Sequence, residues 1–264
     1  MKREFRNFKV VGEVKDGDVV HTSFFQGGAV RFDGVDSGLD SLLDFPLFYP
    51  IRHAFAEGKP VDAIPKTLAK DYLYSNSEIL VTLLGGHDDG RFMSEKGATI
   101  EGLKLANAFV LTTRGVPQLY YGDELAMEGP DEPTTRADFP GGFPGDKRDA
   151  FTAAGRTKDE QEVFEYIRRL TTLRRELEPL RTGGLVNLHV SEQQYAYART
   201  GPKQAVIVVF NNAAHDVDFE IDVSPVMLGN RVLQDRLGTS EARARDGKMK
   251  VSLPKRSAAL FVRD

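Results

Sequence analysis

The sequence predicts an α/β unit built on a parallel sheet, followed by a small all-β antiparallel sandwich. Three observations carry this reading. Short apolar runs at 8–14, 42–48, 80–84 and 116–121 are each closed by loop residues and followed by more helical stretches, the alternation expected of βα units. A strongly amphipathic helix then precedes Pro179. Beyond it the pattern changes to short β-branched and aromatic runs punctuated by turn pairs.

In chain order, run 8–14 is closed by Asp16-Gly17 and reads as a buried strand. Runs 42–48, 80–84 and 116–121 read in the same way. Between the last two, segment 95–113 carries Ile100, Leu103, Val110 and Leu111 on helix-compatible spacing. A Pro/Gly-rich loop at 129–155 leads into the clearest helix. There Asp159 is the expected cap, Val163, Phe164, Ile167, Leu170, Leu173 and Leu177 recur at three- and four-residue steps, and Pro179 stops the run. The boundary therefore falls between 1–178 and 179–264. In the second part, runs 194–200, 205–210, 217–223, 248–253 and 258–262 read as strands, with Gly201-Pro202, Asn211-Asn212 and Asp246-Gly247 as turns.

Composition excludes several classes of function. The 264 residues suit one or two domains with a sizeable core, and the absence of cysteine rules out a disulfide scaffold. With 35 basic against 39 acidic residues the net charge is -4, without the basic footprint of a nucleic-acid binder. No apolar run approaches the roughly 18 residues of a membrane span. The first residues carry charge but no apolar core after it, so no signal peptide is expected and a cytoplasmic location is the default.

Active sites of parallel barrels sit on loops at the C-terminal ends of strands. Two candidates stand there. Glu13 ends the first run, and His87-Asp88 follows the third through Gly85-Gly86, glycines that permit a sharp turn. Two carboxylates at neighbouring strand ends can flank one bond, one as general acid and the other ionised, as glycoside hydrolysis requires. Taken singly, a Glu before an Asp-Gly turn is more often a solvated loop residue, and a lone His more often a hydrogen-bonded core residue. Only the combination favours chemistry.

Val11-Gly12-Glu13-Val14, Leu83-Leu84-Gly85-Gly86-His87-Asp88-Asp89-Gly90-Arg91-Phe92 and Gly115-Val116-Pro117-Gln118-Leu119-Tyr120-Tyr121-Gly122-Asp123-Glu124 resemble, in order and spacing, strand-end motifs five, seven and eight of the α-amylase family barrel. Leu43-Asp44-Phe45-Pro46-Leu47 looks like its sixth strand. The segment from Arg136 to Asp146 resembles a loop of the cyclomaltodextrinase and neopullulanase-like branch. The resemblance implies half of a (β/α)8 TIM barrel, strands five to eight, and activity on α-1,4-linked glucan, from starch fragments and maltooligosaccharides to cyclodextrins. Glu13 matches the general acid/base, Asp88 the transition-state-stabilising aspartate, and His87 the histidine that bonds sugar hydroxyls. Arg136 and Asp138 match the loop beside the substrate cleft, with a surface staple as the plainer alternative. Phe24, Phe25, Phe92 and Tyr121 are candidate platforms for sugar rings, core or loop packing being at least as common for aromatics. No cofactor is implied; calcium is left open.

The chain departs from the family pattern in two places. Gly86 stands where the family usually has Asn. Strands one to four, with the family's nucleophilic aspartate, have no counterpart before Glu13, and Val30-Arg31-Phe32-Asp33 reads as a loop after the first strand. A catalytically impaired remnant or fragment that only binds α-glucan is the alternative reading. Four parallel strands also leave two open edges and an uncovered layer of side chains, so a homodimer or higher oligomer is expected.

Overall fold

The computed structural model describes residues 4–5, 7–29, 34–226, 229–238 and 240–263. Residues 30–33, read above as a loop, lie outside them. The first part holds four very short parallel strands. Strand β1 (Val11–Gly12) pairs with β2 (Ser41–Leu42), and β3 (Val81–Thr82) with β4 (Val116–Pro117). A parallel bridge between Leu43 and Val81 joins the two pairs, so the order is β1-β2-β3-β4. The runs at 8–14 and 42–48 are thus longer than the strands they contain. Expected as buried, β1 instead lies on an edge, with Val11 49% exposed, as is Val116 on the other edge at 50%. After β2 the chain enters a helix, because Asp44 accepts a hydrogen bond from Leu47 N and Pro46 suits the first turn.

The helices are α1 (Val19–Phe24), α2 (Phe45–Phe55), α3 (Ala63–Leu68), α4 (Ile100–Thr112), α5 (Lys158–Glu176) and α6 (Pro179–Thr182). Helix α4 starts where Thr99 accepts from Gly102 N, and it is buried almost all round, which suits a helix between other layers. Helix α5 begins two residues earlier than expected. Thr157, not Asp159, caps it, in a reciprocal box with Glu160 that satisfies two orphan backbone donors. Its apolar stripe of Val163, Ile167, Leu170 and Leu173 packs on α4. Among the described residues no helix is long and apolar enough to cross a membrane.

The second part is one antiparallel sheet of eight strands: β5 (Gly184–Val190), β6 (Gln194–Thr200), β7 (Ala205–Asn211), β8 (Val217–Asp222), β9 (Arg231–Asp235), β10 (Glu241–Arg245), β11 (Lys248–Leu253) and β12 (Ser257–Arg263). The order is β5-β6-β7-β12-β9-β10-β11-β8. A sandwich of separate sheets was the expectation; here the hydrogen-bond ladder is continuous, and its ends β5 and β8 come into contact as the sheet curls over a core. Strand alternation gives the sheet two buried faces. Ala196, Ala198, Ile207, Val209 and Phe261 close an inner core with Leu233, Met249 and Val251. Tyr195, Tyr197, Val208, Phe210 and Leu260 face the helices and share a core with Phe55, Phe109 and Leu170. Thr112 Oγ1 and Tyr197 Oη, 2.6 Å apart, fasten α4 to that face.

Beside the short strands lies a buried ionic cluster. Arg114, at the α4–β4 junction, grips Asp71 through two 2.7 Å bonds and also bonds Asp44 at the β2–α2 junction. The two carboxylates hold Arg114 protonated despite its complete burial. Removing one partner of such a cluster leaves uncompensated buried charge, at a cost of about 3 to 5 kcal/mol. Arg114→Met should therefore lower the urea midpoint by that equivalent. A loss below about 1 kcal/mol would contradict the role assigned to the cluster.

Candidate active site

Parallel pairing sends every strand in one direction, so the residues that follow β1, β3 and β4 emerge on one rim. Glu13 follows β1 directly and is exposed. His87 and Asp88 follow β3, and Tyr121 and Arg136 belong to the segment after β4. Lys15, two residues beyond Glu13, reaches across to the β3 loop, placing its ammonium 2.6 Å from Asp89 Oδ1 and 3.3 Å from Asp88 O. The Asp89 carboxylate raises the Lys15 pKa. The Glu13 and Asp88 segments are therefore fastened to one another.

Asp88 is about half exposed, and its two oxygens have different partners. Oδ1 accepts from Arg136 Nη2 at 2.7 Å, and Oδ2 lies 3.2 Å from His87 Nε2. Arg136 also bonds Glu132. Thr135, buried beside it, donates to His87 O at 2.8 Å, so the segment after β4 holds the β3 loop at two successive residues. Asp138 is exposed two residues further on. Tyr121 is 39% exposed and fixed by its hydroxyl to Ala137 O at 2.8 Å.

Three aromatic candidates are not on this rim. Phe92 is 1% exposed within the helical core, so neither ring face is open to a sugar. Phe24 and Phe25 end α1, which carries the chain back along the strands. Immediately after them Gln26 donates to Asp40 O and Asn76 O, residues that precede β2 and β3. Phe24 and Phe25 thus flank the starts of the strands, the opposite end from Glu13 and Asp88.

The loop between β3 and the single 3-10 turn at Phe92–Ser94 is held by a buried guanidinium that sequence reasoning missed. Arg52 of α2 is 5% exposed and bonds Leu84 O at one end of the loop and Gly90 O, at 2.7 Å, at the other. Its remaining donors meet Glu95, and the group lies 4.7 Å from the centroid of the Phe48 ring. A lone Arg in the apolar stripe of Phe48, Ile51 and Phe55 was the available signal. Gly85 and Gly86 are not needed for the turn: neither has a positive φ, and a Cβ at Gly86 meets nothing within 4 Å. Gly90 is needed, since a Cβ there would lie 2.7 Å from Pro130 O.

A second buried guanidinium supports the segment after β4. Arg91 donates to Tyr121 O at 2.7 Å, lies 3.6 Å from Asp123 and stands over the Tyr120 and Tyr121 rings. Burial pushes Asp123 up to about 7, with Arg91 only partly offsetting it. Among the described residues no group of three or more His, Cys, Asp or Glu side chains is arranged to hold a metal ion.

Residues 1–151 match the family model described as Alpha amylase, catalytic domain. Among curated relatives, the Beta/alpha-amylase of Paenibacillus polymyxa is 24% identical over 264 residues, covering 96% of this chain and 21% of that protein. A cyclomaltodextrinase of Thermoanaerobacter pseudethanolicus is 27% identical over 179 residues, 66% of this chain and 29% of that protein. The solved structure of an Anoxybacillus alpha-amylase superposes with a TM-score of 0.82 at 22% identity, over 99% of this chain and 53% of that one. The chain thus spans less than a third of these two curated relatives and about half of the solved structure.

Two outcomes check the site's construction. Gly86→Asn should fold with stability within about 0.5 kcal/mol of the parent, as for a surface change without a clash; a loss above about 2 kcal/mol would show that the loop needs glycine there. Asp123 ionises near about 3.9 when unfolded and near 7 when folded, so between those values the folded protein holds the extra proton. Stability should therefore fall as pH rises from about 4 to 7, by up to about 4 kcal/mol. Asp123→Asn should remove most of that slope, read from urea midpoints at pH 5 and pH 8; parallel pH profiles would contradict the assignment.

Proposed function

The chain belongs to the alpha-amylase family, and we propose that its strand-end rim is the acid/base part of a glycoside hydrolase site acting on α-1,4-glucosidic bonds. The substrates are starch fragments, maltooligosaccharides or cyclodextrins. Residues 1–178 form half of an eight-stranded barrel and 179–264 a separate antiparallel domain. The observation that carries the reading is the Lys15 bridge, which ties the segment bearing Glu13 to the loop bearing Asp88.

In this reading Glu13, protonated, donates to the glycosidic oxygen as the bond to the anomeric carbon breaks. Asp88 stays ionised and stabilises the positive charge developing on the sugar. Arg136 holds the Asp88 carboxylate in place by donating to Oδ1. His87 bonds a sugar hydroxyl, and its backbone carbonyl is fixed by Thr135. Tyr121 offers a partly exposed ring at the margin. A retaining reaction also needs a nucleophile, which these residues do not include. Its natural place is a further strand alongside β1, on the edge where Val11 is half exposed.

The same edges support self-association. Val11 and Val116 expose apolar side chains on outer strands, and covering them recovers roughly 25 cal/mol per Å² of apolar surface. A second copy can do so about a two-fold axis.

On maltooligosaccharides, Glu13→Gln and Asp88→Asn should each lower kcat by at least about a hundredfold, because general acid catalysis contributes roughly 10² to 10⁴. Undiminished turnover in either variant would overturn the acid and stabilising roles of these two carboxylates. Light scattering after size exclusion should give a multiple of the 29.3 kDa chain; a folded monomer at micromolar concentration would contradict self-association.

A further inference from the structure

Behind the strand-end rim, at the turn that follows Tyr121, a buried arginine and a buried carboxyl lie side by side without closing a hydrogen bond. Arg91 Nη1 stands 3.6 Å from Asp123 Oδ1, beyond hydrogen-bond reach. That nitrogen donates instead to Tyr121 O at 2.7 Å, while Nε and Nη2, both buried, have no hydrogen-bond partner among the described residues. Donors left so are costly, and two of them on one guanidinium mark a group short of an anion. Asp123 is the carboxyl beside it, and its Oδ2 accepts a long 3.3 Å bond from Tyr120 N. We propose that Asp123 is a positioning residue for Tyr121: ionised, it draws the Arg91 guanidinium into an ion pair and frees Tyr121 O; protonated, it leaves Arg91 holding Tyr121 in place. What Tyr121 then does, offering its ring to a sugar, rests on the functional reading above.

The turn has room for this exchange. Closing from 3.6 Å to the length usual for a charged pair takes a movement of roughly 0.8 Å. Gly122, between Tyr121 and Asp123, leaves the space open: a Cβ there would lie 3.1 Å from Arg91 Nη1 and would collide with Met127 Sδ. Burial pushes the Asp123 carboxyl up to about 7, and the charges acting on it are Arg91 and Arg52, which favour ionisation, and Glu124, which opposes it. Tyr120 and Tyr121 meet the guanidinium with their rings, 4.6 and 4.9 Å from its centre. Helix α5, packed on the same turn, buries Val163, Ile167, Leu170 and Leu173. Tyr121 in turn donates its hydroxyl to Ala137 O, beside the Arg136 that holds Asp88, so a shift at Tyr121 reaches the rim.

NMR titration of the whole chain with pH reads the link without any need for turnover. The Asp123 side-chain carbon, Arg91 Nε and the Tyr121 and Gly122 amides should follow one midpoint, near 7. In Asp123→Asn, a neutral side chain of the same shape, the last three should lose that step. Histidines, which titrate in the same range, are present in both proteins and cancel in the comparison. Should the variant fail to fold, the parent alone decides: a Tyr121 step that departs from the midpoint of the Asp123 carboxyl, or no step at all, overturns the proposal. Maltotriose titrations near pH 5 and pH 9 read the consequence. Affinity at 86–88 and 121 should fall at least about fivefold as pH rises in the parent and stay level in Asp123→Asn. Equal pH dependence in the two proteins would overturn the positioning role. A shared midpoint with no maltotriose response at either pH would support the Asp123–Arg91–Tyr121 link and count against the functional reading.

Discussion

A single buried guanidinium decides where Asp88 stands. The strands contribute only two residues each to the parallel ladder, too few hydrogen bonds to fix loops that extend well beyond them. Arg52 supplies what the ladder cannot, by bonding the carbonyls of Leu84 and Gly90 at the two ends of the loop that carries His87 and Asp88. Such charge-assisted bonds, made where water is excluded, are stronger than bonds between neutral groups. Lys15, Thr135 and Arg136 then attach that fixed loop to the segments after β1 and β4.

The same principle recurs through the first part of the chain. Arg91 organises the turn at Tyr121 and Asp123, and Arg114 joins the β2–α2 and α4–β4 junctions. Each long side chain reaches several loops at once, so rigid loops are built on short strands. The second part solves a different problem. Its tyrosine-rich face supplies the surface on which α4 is buried, while Arg256 and Asn212 bind the carbonyls of Phe55 and Ala54 at the end of α2. The curled sheet thereby supports the helices that carry Arg52.

Much of this was legible in the sequence where local signals are strong. Strand-end motifs around Glu13, His87-Asp88 and Tyr121 marked loops after strands, and the apolar stripe of α5 marked its helix. Periodicity failed where an apolar run continued past a strand, as at Asp44, whose capping bond turns the run into a helix. Strand β10 was missed because its outward residues are charged and dilute the apolar signal: Glu241, Arg243 and Arg245 alternate with the buried Ala242 and Ala244. Phe24, Phe25 and Phe92 show what residue type alone cannot give. An aromatic side chain suits a sugar platform and a core equally, and only the path of α1 and the burial of Phe92 separate the two.

The proposed chemistry requires Glu13 and Asp88 to face one sugar. The most direct measurement is affinity labelling with an epoxyalkyl maltooligosaccharide, in which a carboxylate opens the epoxide and stays esterified to the sugar, followed by peptide mapping. A single label is expected, on Glu13 or Asp88, that excess maltotriose suppresses. A label spread over surface carboxylates, or confined to a residue away from both strand ends, would contradict it.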